Sequence, residues 1–318
     1  YLARYQYVTI LTAALGLVAL GVSSILGWFA LSAVVLRPMK ALRDGMLALG
    51  RREFDHKVEI GSRDEFRDLG ETLNKLARDL DVARVIQSTF LPRRLPSTRG
   101  YRFALASIAC DATGGDYVDA FELPDGRAAV LVADVSGHGL GASLLMSACR
   151  SALRAMCRGP HSPGELLERL ESQLAEDLGD SRFITMVYGV LEPDGRFTWA
   201  NAGHEPAFAV VGGEVVVFEA HRTPLGVGID LGGDKETTIR LSPGDRVFLG
   251  SDGVTEAMDP AGELFGAERI VEAVRGAGAT CQEVVDRLNA ALDAHCRGPA
   301  RRDDVTMLVL DRIESGPS

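Results

Sequence analysis

Cysteine is scarce in this 318-residue chain: five are present, an odd number, widely spaced and without a Cys-x-x-Cys. That excludes a disulfide framework and a zinc knuckle, and the bulk of the chain reads as reduced and cytoplasmic. A basic cluster is also lacking from the larger part of the chain. Residues 1–98 carry 14 Lys/Arg against 10 Asp/Glu; totals of 34 and 44 leave 20 against 34 for residues 99–318. A segment of net +4 thus precedes one of net −14, and an acidic body without a cationic face argues against binding to nucleic acid. Internal repeats and low-complexity tracts are absent. With 46% apolar and 25% charged residues, the composition is that of an ordinary globular chain of about two domains.

Charge itself is missing from Tyr5 to Leu36, 32 residues rich in Leu, Val, Ala and Ile. About 20 apolar residues cross the hydrocarbon core of a bilayer, so residues 1–36 are read as a transmembrane helix. Arg37, Lys40, Arg43, Arg51 and Arg52 follow it, against Arg4 alone before it. This positive-inside bias puts the C-terminal side in the cytoplasm of a cell inner membrane. Tyr1 in place of Met reads as the start of an excerpt, with an earlier helix and an extracytoplasmic sensor expected upstream.

Past the span, Met39, Leu42, Met46 and Leu49 are spaced 3, 4, 3, and Leu69, Leu73, Leu76 and Leu80 are spaced 4, 3, 4. Both match a coiled-coil seam and imply two short helices. Phe54, Val58 and Ile60 lie in a polar stretch between them, as an extended connector. The seam continues through Ala83, Ile86 and Phe90 with one heptad position skipped near Ala83, and Leu91-Pro92 ends it. This order, with Pro38 just inside the membrane and Asp64-Glu65-Phe66-Arg67-Asp68-Leu69 opening the second helix, resembles the HAMP signalling linker. The resemblance assigns residues 37–78 to HAMP and 79–98 to a coiled-coil regulatory helix. It implies a homodimer through both, since HAMP modules form four-helix bundles from two chains.

Beyond Gly100, short apolar runs bounded by turn residues read as strands, most clearly Ala128–Ala133, Phe183–Leu191, Phe197–Asn201, Glu214–Phe218 and Val305–Leu310. Helical periodicity covers about His138–Arg158, Pro163–Leu178, Ala267–Arg275 and Cys281–Cys296. Strands joined by hairpins, with helices gathered between groups of them, argue for an α+β layered domain over residues 99–318. The chemical signal is acidic. Asp134 ends the run Ala128–Ala133, Asp252 follows Arg246–Gly250, Asp116 sits in Gly-Gly-Asp-Tyr, and Asp303-Asp304 precede the last strand. An antiparallel pairing of the last strand with Arg246–Gly250 would bring Asp252 and Asp303 to one sheet edge. Converging carboxylates repel each other unless a cation lies between them, and hard oxygen donors suit Mg²⁺ or Mn²⁺. Asp125-Gly126 and Asp194-Gly195, each preceded by proline, read as plain turns.

Six segments in order resemble the metal-dependent protein phosphatase 2C superfamily, in its bacterial stage II sporulation E and sigma-B regulator branch. They are Asp81–Gln87 with Leu91-Pro92, GGDYVDAF at 114–121, ADVSGHGLGASLLM at 133–146, NAGHEPAF at 201–208, PGDRVFLGSDGVTEAMD at 243–259 and DDVTMLVL at 303–310. The resemblance implies a two-sheet antiparallel β-sandwich flanked by helices, with two Mn²⁺ or Mg²⁺ ions, and room for a third, at one edge. By motif, Asp134 bridges both ions, Asp116 and the Val135 carbonyl complete one site, and Asp252 with Asp303 hold the other. Asp304 is an additional candidate ligand. No catalytic side chain is implied beyond metal-bound water, which would hydrolyse a phosphoserine or phosphothreonine. His138 and His204 read as hydrogen-bonding residues, with proton donation to the leaving oxygen as the alternative. The implied partner is a phosphorylated anti-anti-sigma factor. The competing readings are a pseudophosphatase or a membrane signalling scaffold that binds without turnover.

Overall fold

The computed structural model describes residues 2–314 apart from 93, 111–112, 138, 180, 230, 277–279 and 298–302, with the side chains of 2–9 and 13 also outside the description. Tyr1 and His138 therefore lie outside the described residues. The chain forms two compact units, Tyr1–Val82 and Ala83–Ser318.

The first unit begins with α1 (Leu2–Leu31), runs through a wider π-type turn at Ser32–Leu36, and continues into α2 (Arg37–Gly50). Ile10–Gly50 forms one helical run of 41 residues with a mean hydropathy of 2.1 in its most apolar window and no residue of that window buried, long and apolar enough to cross a membrane. Pro38 lies just past the π-type turn, so the residue that cannot donate to the helical ladder sits where that ladder is already widened. Asp64 caps the next helix, α3 (Glu65–Ser88), by accepting from the Phe66 N–H. Between α2 and α3 the connector is extended, as its sequence implies, and it is fastened by one side chain. Asn74 on α3 accepts from the Val58 N–H and donates to the Val58 carbonyl, both at 2.9 Å, pairing as a strand would. Val58 is buried against Gly45 of α2, where a Cβ would overlap its side chain. Met39, Met46, Leu69 and Leu76 of the seam stay exposed.

In the second unit, two five-stranded antiparallel sheets are built from β1 (Tyr101–Ile108), β2 (Tyr117–Glu122), β3 (Ala128–Val135), β4 (Ile184–Leu191), β5 (Arg196–Ala202), β6 (Ala207–Val211), β7 (Glu214–Val217), β8 (Thr237–Arg240), β9 (Arg246–Gly250) and β10 (Val305–Arg312). One sheet has the order β1-β10-β9-β6-β7, the other β2-β3-β4-β5-β8. The helices are α4 (Leu140–Met156), α5 (Pro163–Leu178), the single turn α6 (Asp252–Thr255), α7 (Ala267–Arg275) and α8 (Cys281–His295). Helices α4 and α5 cover one sheet with Leu153, Leu166 and Leu170, which meet Ala129, Leu131 and Ala133 of β3. Helices α7 and α8 cover the other with Ile270 and Leu288, against Met307 and Val309 of β10. Val130 and Val132 face Leu308 and Leu310 between the sheets, around Phe197, Trp199 and Phe218. The fold is thus the layered α-β-β-α sandwich that the sequence implies.

This layering explains why Ala128–Ala133 is apolar without alternation: both faces of β3 are covered, one by helices and one by the second sheet. It also explains the strands that periodicity does not single out. The edge strand β8, Thr-Thr-Ile-Arg, is mostly exposed, and β1 mixes buried and open positions. Helices α5 and α8 start at matched capping boxes, Ser162 with Glu165 and Thr280 with Glu283.

Removing the Asn74 bracket tests the first unit. In Asn74→Leu, both polar groups of Val58 lose their partner, costing about 1–3 kcal/mol locally. The expected outcome is faster tryptic cleavage at Lys57 and Arg63 in the full-length protein in detergent, with the second unit's cleavage pattern unchanged.

Candidate metal centre

Sheet register builds the site. Strand β9 pairs antiparallel with β10, Gly250 opposite Met307, and the Ser251 N–H donates to the Thr306 carbonyl at 2.9 Å. Asp252, one residue beyond this pair, and Asp303, two residues before β10, therefore meet at one edge. Asp134 arrives at the same edge from β3, opposite Thr185 of β4. Together Asp134, Asp252 and Asp303 line a cleft of about 450 Å³ with Ser136, Gly137, Phe183, Thr185, Gly203, His204 and Glu205. Asp116 comes from the loop before β2. A Cβ on Gly115 would stand 2.8 Å from the Val135 carbonyl and 3.3 Å from an Asp134 oxygen, so the loop closes on Asp134 only because glycine precedes Asp116.

The electrostatics record this convergence. Burial, and next the charges of Asp134 and Asp304, hold the Asp116 carboxyl well above the usual carboxylate range, partly offset by the hydroxyls of Thr306 and Ser251. Asp134 is pushed up to about 7 by burial and by Asp252, Asp303 and Asp304. Asp252 is raised by burial and by Asp303 and Glu256. Asp116 Oδ2 is buried with no hydrogen-bond partner. An orphaned carboxylate oxygen among acids that raise one another's pKa fits a divalent cation. The donors are oxygens, which fit Mg²⁺ or Mn²⁺.

Asp304 sits differently. Its Oδ1 accepts from the Cys110 N–H at 2.7 Å and its Oδ2 from the Gly115 N–H at 2.7 Å, so both oxygens hold the loop that carries Asp116. A Cβ on Gly114 would land on this carboxylate. Cys110 Sγ lies within 4.8 Å of carboxylate oxygens of Asp303 and Asp304. On the other side of the loop, Gln87, near the end of α3, donates from Nε2 to the Gly114 carbonyl at 2.6 Å and accepts the Gly114 N–H at 2.9 Å. The roles of Gln87 and Cys110 had no signal in spacing: each depends on a contact 27 or more residues away.

His204 is 2% exposed at the cleft wall, with Nδ1 2.8 Å from the Thr185 hydroxyl and its loop held by Asn201, which accepts the His204 N–H. Burial lowers its pKa to about 4, so it is neutral at pH 7. Burial pushes the thiols of Cys149, Cys157 and Cys281 up to about 12, 11 and 11, which leaves them inert as nucleophiles. Asp125 and Asp194 serve as turn residues, each accepting from the backbone N–H two residues on.

The raised carboxylates predict a pH-dependent fold. The Asp134 pKa of about 7 exceeds its ordinary 3.8, so its proton favours the folded state at low pH. That contribution is complete below about pH 4 and is lost as pH rises through about 7. In metal-free full-length protein, the melting temperature of the second unit is expected to fall over this window. Mn²⁺ restores it at the alkaline end, and Asp134→Asn flattens both the fall and the rescue in differential scanning calorimetry.

Comparison with known proteins agrees with the geometry. Residues 124–313 match the family described as Stage II sporulation protein E (SpoIIE), and residues 30–81 match the HAMP domain. The chain is 27% identical over 282 residues to phosphoserine phosphatase RsbU of Bacillus subtilis, covering 87% of this chain and 80% of RsbU. It is 27% identical over 276 residues to protein IcfG of Synechocystis, covering 77% of this chain and 43% of IcfG, and so spans less than half of that relative's length. The SiaA-PP2C domain of Pseudomonas aeruginosa superposes with a TM-score of 0.67 at 24% identity, over 76% of this chain and 99% of that domain. With the family match extending over more than half its length and a HAMP domain ahead of it, the chain belongs to the stage II sporulation protein E family of PP2C-type phosphatases.

Proposed function

We propose that this protein is a membrane-anchored, divalent-cation-dependent phosphatase that removes phosphate from a serine or threonine of a regulatory protein, an anti-sigma-factor antagonist. The observation that carries the reading is the meeting of Asp116, Asp134, Asp252 and Asp303 at one sandwich edge, with an Asp116 oxygen buried and unpartnered. Asp116, Asp134 and the Val135 carbonyl would hold one cation, and Asp134, Asp252 and Asp303 a second. When bound, these ions supply a nucleophile from water near neutral pH and neutralise phosphoryl charge. The protein's own part is placement. Asp304 and Gln87 hold the Asp116 loop from opposite sides, the cleft stays open to a phosphate, and neutral His204 keeps Thr185 oriented opposite Asp134. A scaffold that only bound a partner would have no use for carboxylates that oppose each other.

Control is proposed to enter through a HAMP homodimer, with the catalytic unit in the cytoplasm. Exposed Met46, Leu69, Leu76 and Ile86 along the helical seam provide the apolar face that a second copy would cover. Helix α3 is unbroken from Glu65 to Ser88, and its last turn carries Gln87 onto the metal loop.

The test is phosphate release from p-nitrophenyl phosphate and from a serine-phosphorylated anti-sigma-factor antagonist, using the full-length protein in nanodiscs. Turnover of both is expected with Mn²⁺, with none in EDTA and at least a hundredfold loss in Asp134→Asn, on the order of what removing a transition-state electrostatic group costs. EDTA-resistant turnover would overturn the metal assignment, and a silent but folded wild type would favour the pseudophosphatase. Inserting one residue at Ala83 is expected to change phosphoprotein turnover without altering metal-binding stoichiometry; unchanged turnover would sever the proposed control path.

A further inference from the structure

Large apolar side chains stand uncovered beside the carboxylate cleft. Leu140 and Leu144, one turn apart at the start of α4, are 52% and 63% exposed; Phe183 at the cleft wall is 41% exposed; and Val227 and Ile229 are 41% and 61% exposed. Three contacts join them into one surface. The Ser136 N–H donates to the Phe183 carbonyl and the Phe183 N–H to Ser136 Oγ, both at 3.0 Å, which fixes Phe183 beside the loop leading from Asp134 into α4. The Arg182 guanidinium lies over Gly141, its Nη2 3.0 Å from where a Cβ would be, on the turn that carries Leu140 and Leu144. The Arg182 carbonyl closes on Gly226, 2.9 Å from its Cβ position, which leads directly to Val227.

Single exposed leucines are ordinary, but a contiguous apolar rim continuous with a catalytic cleft marks the place where a partner sits. Charge selects the partner. Among the described residues the cleft is lined by the acids Asp134, Asp252, Asp303 and Glu205 and by no lysine or arginine. Arg182, exposed at the rim, makes no ion pair among the described residues. A cation free to meet an anion at the entrance suits an approaching phosphate group, and the apolar side chains around it suit a solid body attached to that phosphate. A small phosphate ester would touch only the cleft.

We propose that Leu140, Leu144, Phe183, Val227 and Ile229, with Arg182 among them, form the docking surface for the substrate: a folded phosphoprotein presenting an apolar patch beside its phosphoserine. The proposal rests on the phosphatase reading above and assigns that site its means of recognising a protein.

The experiment compares Leu144→Asp and Leu140→Ser with wild type, each full length in nanodiscs with Mn²⁺, on p-nitrophenyl phosphate and on the serine-phosphorylated anti-sigma-factor antagonist. Each substitution is expected to raise KM for the phosphoprotein about tenfold at unchanged kcat, while turnover of the small ester stays at the wild-type level. Retained small-ester turnover reports an intact fold and centre in the same sample. A KM for the phosphoprotein equal to wild type in both variants would overturn the docking surface, as would equal loss on both substrates. A change in oligomeric state caused by Leu144→Asp would overturn it too, by making the rim a contact between copies. A wild type that released phosphate from neither substrate would instead sink the phosphatase reading, and the docking surface with it.

Discussion

Mutual repulsion of carboxylates gathered at one sandwich edge is the constraint around which the second unit is built. Two unit charges 4 Å apart oppose each other by about 4 kcal/mol at an effective dielectric of 20, and here Asp134 responds to Asp252, Asp303 and Asp304 at once. A flexible loop would relieve such strain by moving apart. Asp134 is denied that escape because it rides on the end of β3, whose other residues are locked between layers: Val130 and Val132 between the sheets, and Leu131 and Ala133 under the helices, all at most 1% exposed. The stability of two extensive apolar interfaces is thereby set against a local conflict that only protons or cations resolve. Under the proposed metal centre the cation is the remedy at neutral pH, and metal binding and fold stability would be tied together.

Much of this was legible in the sequence because the strongest signals are local. A continuous apolar run such as Ala128–Ala133 announces a strand covered on both faces, whereas the antiparallel pairing of Val305–Leu310 with Arg246–Gly250, across three intervening helices, was only a condition in the sequence and is settled by the register. The HAMP helices were legible from leucine spacing, and their connector from polar residues around Val58. What escaped was whatever depends on distant partners. Asn74 looks like a helix-surface residue until its amide is seen pairing with Val58. Asp304 reads as an additional candidate ligand beside Asp303, and only the fold shows that its oxygens also accept from the amides of Cys110 and Gly115, nearly two hundred residues earlier. Only the fold decides which tasks adjacent carboxylates take on.

The loop carrying Asp116 shows why such supporting residues matter. A ligand on a loop is only as well placed as the loop, and this one has little apolar anchorage of its own. Asp304 fixes its amides from the β10 side, while the Gln87 side chain closes a two-bond amide ring with Gly114 from the α3 side. Glycines at 114 and 115 let both supports approach, since a side chain at either position would collide with Asp304 or with the Val135 carbonyl.

The Gln87 ring also sets the form that control through α3 can take. An amide ring with two aligned hydrogen bonds is made or not made, because a helix rotation of one residue, about 100°, carries the side chain to another face altogether. Small bending of the helix is absorbed by the flexible glutamine stem, whereas a change of register is not. The skipped heptad position near Ala83 lies only four residues before Gln87. Under the proposed control through α3, a signal would act as a choice between registers rather than a graded push, which suits an input from a helical bundle whose packing is itself discrete.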